Sequence, residues 1–155
     1  MKVIIPNGTT KIKFGEFYAN KSITSIVIPE GVTEIEDSAF EDCENLKNII
    51  LPSTLKKIGI GAFRGCKSLR SITIPEGATI IEDCAFESCK NLEQIDLPES
   101  LAHFSDGLFA GCHSLNNLTI PSSLYGIGEN VFLECNSLKM LYMAESKMER
   151  VDESF

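Results

Sequence analysis

The side chains of this chain that could do chemistry are six cysteines, two histidines and a recurring column of acids. Cys43, Cys66, Cys89, Cys112 and Cys135 stand in one column with a step of 23 residues, and Cys84 lies outside it. A zinc site needs four converging ligands, as in paired Cys-x-x-Cys motifs, and none is present. Stacked neighbours could come within the roughly 4.4–6.8 Å Cα separation of a disulfide, yet a column of five cannot pair completely. A position repeated in every unit is also where a small apolar side chain packs, and free cysteine is among the most buried residue types. The column therefore reads as a reduced, buried ladder. Cys84 shares its column with Ser38, Gly61, Gly107 and Asn130, a position either exposed or cramped. It is the thiol most open to reaction, although an accident of the repeat is the better explanation of its place.

His113 aligns with Glu44, Lys67, Lys90 and Asn136, and His103 with Glu34, Lys57, Ile80 and Gly126, all surface columns. Nucleophilic catalysis needs a base within reach of the nucleophile and a third group that orients it. No serine or cysteine beside either histidine departs from the repeat, so no catalytic residue is assigned. Gly59, Gly61 and Gly65 belong to repeat columns and not to a phosphate-binding strand-to-helix loop. Glu36-Asp37 and Glu82-Asp83 lie two units apart, about 10 Å at strand spacing, which reads as solvated charge rather than calcium ligation. No metal or cofactor is predicted.

These columns must be positioned by a repeating element. Pro6, Pro29, Pro52, Pro75, Pro98 and Pro121 keep the same step without a slip, as do Phe17, Phe40, Phe63, Phe86, Phe109, Phe132 and Phe155. A period of this length means a solenoid, whose coils contact only their neighbours. Residues 1–155 then form a single domain of about 6.5 repeats of 23 residues, with a degenerate first repeat and a truncated last one. The apolar pairs Ile26/Ile28, Ile49/Leu51, Ile72/Ile74, Ile95/Leu97, Leu118/Ile120 and Leu141/Met143 alternate like a strand with one buried face. Proline ends each of these strands but the last. Val32 and Ile35, with their equivalents, predict a second short extended segment leading into one tight helical turn. Asp37, Asp83, Asp106, Glu129 and Asp152, three residues before the phenylalanine, read as N-caps of that turn, with Ile60 the exception. The column Ser22, Asn45, Ser68, Asn91, Ser114 and Ser137 predicts a turn completed by short hydrogen-bonding side chains.

Composition narrows the partners. The chain is 43% hydrophobic and 23% charged, with 14 basic and 22 acidic residues and a net charge of −8. Unclustered basic residues in an acidic chain exclude nucleic acid, and apolar blocks of about four residues exclude membrane insertion. The N-terminus carries no secretory h-region, so the sequence places the chain inside the cell or as part of a longer precursor.

Leu46-Lys47-Asn48-Ile49-Ile50-Leu51-Pro52, followed by Leu55 to Ile58 and Ala62-Phe63-Arg64-Gly65-Cys66, resembles the BspA-like, or Treponema-type, leucine-rich repeat. The resemblance covers nearly the whole chain. It departs at Thr9 and Asn20 in the first unit and at Ala144, which stands where proline is expected. It implies a curved right-handed superhelix, mainly β with short helical turns, whose parallel strands line the concave face. It also implies a cell-surface or secreted adhesion protein of a microbe, binding a host or neighbouring-cell protein. An intracellular interaction scaffold of the same architecture is the alternative.

Within each long strand, the residues alternating with the buried pair must point outward. They form two columns, Ser25, Asn48, Ser71, Gln94, Asn117, Met140 and Val27, Ile50, Thr73, Asp96, Thr119, Tyr142. The second changes character from unit to unit beside an unchanging core, as a display surface does, although unconstrained surface varies too. Ile50 beside Val27 and Tyr142 beside Met140 offer apolar anchors for a protein partner. Neither end carries the polar cap that closes a solenoid, and Phe155 ends the chain in mid-unit. The expectation is therefore a longer array or ends that self-associate.

Overall fold

The computed structural model describes residues 1–143, with side chains through Lys139. The Ala144, Asp152 and Phe155 positions discussed above lie outside the described residues.

Each coil contributes one long and one short strand. The long strands are Lys2–Ile4, Ser25–Val27, Asn48–Ile50, Ser71–Thr73, Gln94–Asp96, Asn117–Ile120 and Met140–Met143. The short strands are Lys11–Ile12, Glu34–Ile35, Lys57–Ile58, Ile80–Ile81, His103–Phe104 and Gly126–Ile127. All pairings are parallel and in repeat register, for example Val3↔Ile26, Ile26↔Ile49 and Ile12↔Ile35. This parallel solenoid matches the fold expected from the periodicity. Proline follows each of the first six long strands, and its carbonyl accepts from the amide three residues on, as in Leu55 N to Pro52 O (3.2 Å) and Leu101 N to Pro98 O (3.1 Å).

The segment expected to be a helical turn is a third coil-to-coil ladder. Alternate amides point in two directions. Ser38, Phe40 and Asp42 donate to Ile60, Ala62 and Arg64 of the next coil (2.9, 2.8 and 2.7 Å), while Ala39, Glu41 and Cys43 donate three residues back within their own coil (3.2, 3.1 and 3.1 Å). No helix forms among the described residues, because half the amides a helix would need are committed to the neighbour.

That alternation requires left-handed backbone at two places in each coil. One is the column Gly15, Ser38, Gly61, Cys84, Gly107 and Asn130, with φ between 54° and 62°. Glycine and a larger residue alternate along it. A Cβ added at Gly107 would lie 3.0 Å from Cys84 Sγ, too close to be relieved without movement. From Asp42 onward the second left-handed column alternates likewise, through Gly65, Ser88, Gly111 and Glu134.

The core is a set of single-residue stacks. Phe17, Phe40, Phe63 and Phe86 lie nearly parallel with centroids 5.1, 5.4 and 5.4 Å apart, an offset-stacked arrangement. Phe104, where other coils carry isoleucine, meets Phe109 edge-on at 5.7 Å and 90°. The stack opens to 6.1 Å between Phe86 and Phe109 beside it.

Candidate interaction surface

Two strand faces flank this core, and their side chains differ in how far they satisfy one another. On the short-strand face, Lys11 pairs with Glu34 (2.6 Å), and Lys57 pairs with both Glu34 (3.6 Å) and Glu82 (3.2 Å). The hydrogen bond from Lys11 holds Glu34 below the ordinary glutamate range, and Glu82 raises Lys57 in turn. Charge on this face is largely answered from coil to coil.

The long-strand face is arranged otherwise. Ile26, Ile49, Ile72, Ile95 and Leu118 are buried, while Val27, Asn48, Ile50, Ser71, Thr73, Gln94, Asp96, Asn117 and Thr119 are exposed and Ser25 is half-buried. Strand pairing aligns Met140 with Asn117 and Tyr142 with Thr119, but their side chains lie outside the described ones. Ile4, which sequence reasoning passed over, belongs to the same outward column. It pairs in register with Val27, and Val27 with Ile50. The three are 83%, 40% and 62% exposed. Pro6 placed Ile4 in register all along; the departures at Thr9 and Asn20 obscured it.

Further along the column, Asp96 accepts hydrogen bonds from the Thr73 hydroxyl (3.1 Å) and from the Gln94 side-chain amide (3.0 Å), one to each carboxylate oxygen. Its charge is thereby oriented but not neutralised. Arg70, at the strand margin, is paired with Glu93 (2.9 Å).

The thiols lie elsewhere. Each column cysteine donates from Sγ to the phenylalanine carbonyl 26 residues back, as in Cys66 to Phe40 (3.2 Å) and Cys89 to Phe63 (3.1 Å). All six cysteines are free. Burial pushes Cys66, Cys89 and Cys112 well above the usual thiol range. Cys84 is half-buried, and burial, followed by the neighbouring Glu87 and Asp83, raises it to about 11. A thiol so raised is a poor nucleophile at neutral pH. His113 lies 3.7 Å from Glu134. Among the described residues, no three His, Cys, Asp or Glu side chains converge to hold a metal ion. Among the described residues no helix is long and apolar enough to cross a membrane.

The coil geometry agrees with the sequence-family comparison. The BspA type leucine rich repeat region matches residues 1–79 and 33–155, with six copies of the repeat. The chain belongs to the BspA-type leucine-rich repeat family. No curated protein matches it significantly. Among solved structures, it is similar to a leucine-rich repeat protein of Bacteroides ovatus, at 34% identity and TM-score 0.71, over 93% of this chain and 45% of that one. A leucine rich cell surface protein of Faecalibacterium prausnitzii is similar at 31% identity and TM-score 0.75, over 94% of this chain and 48% of the other. The leucine rich repeat protein of T. pallidum is 26% identical, with TM-score 0.67 over 89% and 78%. The chain thus spans less than half the length of the first two. A BspA-type repeat array of this kind is a protein-interaction module.

Proposed function

We propose that this chain is a non-enzymatic binding module of a microbial cell-surface or secreted adhesion protein, holding a host or neighbouring-cell protein along a concave face lined by its long strands. The observation that carries this reading is the contrast within one strand. Ile26, Ile49, Ile72 and Ile95 are buried and identical, while their outward neighbours run Val27, Ile50, Thr73 and Asp96. Exposed apolar side chains that adjoin from coil to coil, as Val27 and Ile50 do, are the kind of patch that marks a protein-interaction site, whereas singly scattered ones are ordinary surface. The likeness to a cell surface protein of Faecalibacterium prausnitzii supports the location.

The test places a photo-crosslinking residue at Thr73, and in a second variant at Ile80 on the short-strand face, in cells that express the protein. Protease treatment of intact cells reports in parallel whether the repeats are outside. Crosslinks to protein from Thr73 but not from Ile80, with repeats accessible to the protease, are expected. Crosslinks only from Ile80 would move the binding face, and protection from protease would overturn the surface location.

A further inference from the structure

Resting on that reading of the face, we infer that its partner presents an apolar side chain over Val27 and Ile50 and, about 10 Å away, a lysine or arginine to Asp96. Among the described residues this is the one column in which three successive coils carry exposed apolar side chains, Ile4, Val27 and Ile50. Elsewhere they are isolated: Ile80 stands between Lys57 and His103 in its column, and Ile60 between Asp37 and Asp83. Successive strands rise about 4.8 Å, so the three residues form an anchor about 10 Å long.

Two coils beyond Ile50, the column reaches Asp96. The Thr73 hydroxyl and Gln94 amide each occupy one site on its carboxylate and fix its direction. Both oxygens keep a free lone pair, and no cation is paired with Asp96 among the described residues. Lys47 lies at the other margin of the Ile50 strand and is exposed. Selectivity for a basic group is therefore confined to the Asp96 end. The chain's net charge of −8 steers a basic segment toward the protein and repels an acidic one. In a polyproline II segment, which rises about 3.1 Å per residue and turns once every three residues, side chains three positions apart lie on one face about 10 Å from each other, so the matching chemistry is an aliphatic or aromatic side chain with a basic residue three positions away.

The experiment selects displayed random dodecapeptides on the purified chain and measures the enriched peptides against the chain, Ile50→Ser and Asp96→Asn. Both substitutions are at outward positions, and thermal melts confirm that each variant is folded. Val27→Ser serves as the second anchor variant if Ile50→Ser melts early. The expected result is enrichment of an apolar residue three positions from lysine or arginine. Affinity should fall about tenfold or more in Ile50→Ser. In Asp96→Asn a similar fall is expected for basic peptides, and none for the same peptides with glutamine replacing the basic residue. Peptides that are acidic but still lost on Ile50→Ser would overturn the basic partner while leaving the binding face intact. Peptides indifferent to both substitutions would overturn the face as well, and failure to enrich any peptide counts against the inferred anchor.

Discussion

The backbone amide of Ile60 donates to Asp37 Oδ1 at 2.9 Å, across one whole coil. Asp83 serves Asp106 N (3.2 Å) and Asp106 serves Glu129 N (2.8 Å) in the same way. The acid expected to cap its own turn instead caps its neighbour's, where the amide is left unpaired by the change of backbone direction. Gly59 and Gly128 clear the approach, since a Cβ at either would overlap the aspartate oxygen. Ser105 stands at the equivalent position beside the longest of the three bonds.

Asp37→Ala should therefore expose an amide in a different coil from the one mutated. The loss of stability is about 1 kcal/mol, and hydrogen exchange should quicken at Ile60 rather than at Ala39 or Phe40. Faster exchange confined to the 38–40 turn would restore the capping role within the coil.

Phe63 is fully buried and stacked at 5.4 Å on both sides. Phe63→Ala should cost about 3–5 kcal/mol. Because coils are supported only by neighbours, the loss should also divide unfolding into two transitions, detected as non-coincident exchange in the halves before and after the gap.

The thiols should be inert in the folded state. Cys43, Cys84 and Cys135 are raised to about 11, and the other three further by burial. N-ethylmaleimide at pH 7 followed by mass spectrometry should find no adduct within minutes on the native chain and six after denaturation. Rapid single labelling at Cys84 would contradict its placement.

Acid should weaken the stack. Glu30 accepts from the Ser53 amide and hydroxyl, both at 2.9 Å, and Glu99 accepts from the hydroxyl and amide of Ser122. These bonds, with Lys11 at Glu34, lower all three carboxyls. A group lowered on folding stabilises fully above its unfolded value, about 4.3 for glutamate, and loses that contribution as pH falls through the folded value. The urea midpoint should drop below about pH 4, and Glu30→Gln with Glu99→Gln should flatten that drop.

What could be read from residue types followed the core. A buried column admits few side chains, so Phe63, Cys66 and Ile58 declared their positions through repetition. The turn between Ile35 and Cys43 escaped because its organising bonds run through backbone, for which any side chain serves. Its left-handed residues gave little warning either, since Ser38 and Cys84 are not glycine. Outward columns were legible as alternation, but the Asp96 hydrogen bonds to Thr73 and Gln94 depend on side-chain direction, which spacing does not carry.

The alternation of glycine and larger residues at the left-handed positions gives the chain two clocks. Its backbone repeats with every coil, but its chemistry repeats with every second one. Excision of the coil carrying Gly61 would bring Ser38 and Cys84 together, whereas excision of two consecutive coils would restore a glycine between larger neighbours. A coil lost or gained singly therefore sets two larger residues or two glycines side by side in this column, as Ala19 and Asp42 already stand in the second one, and only a paired change keeps the alternation.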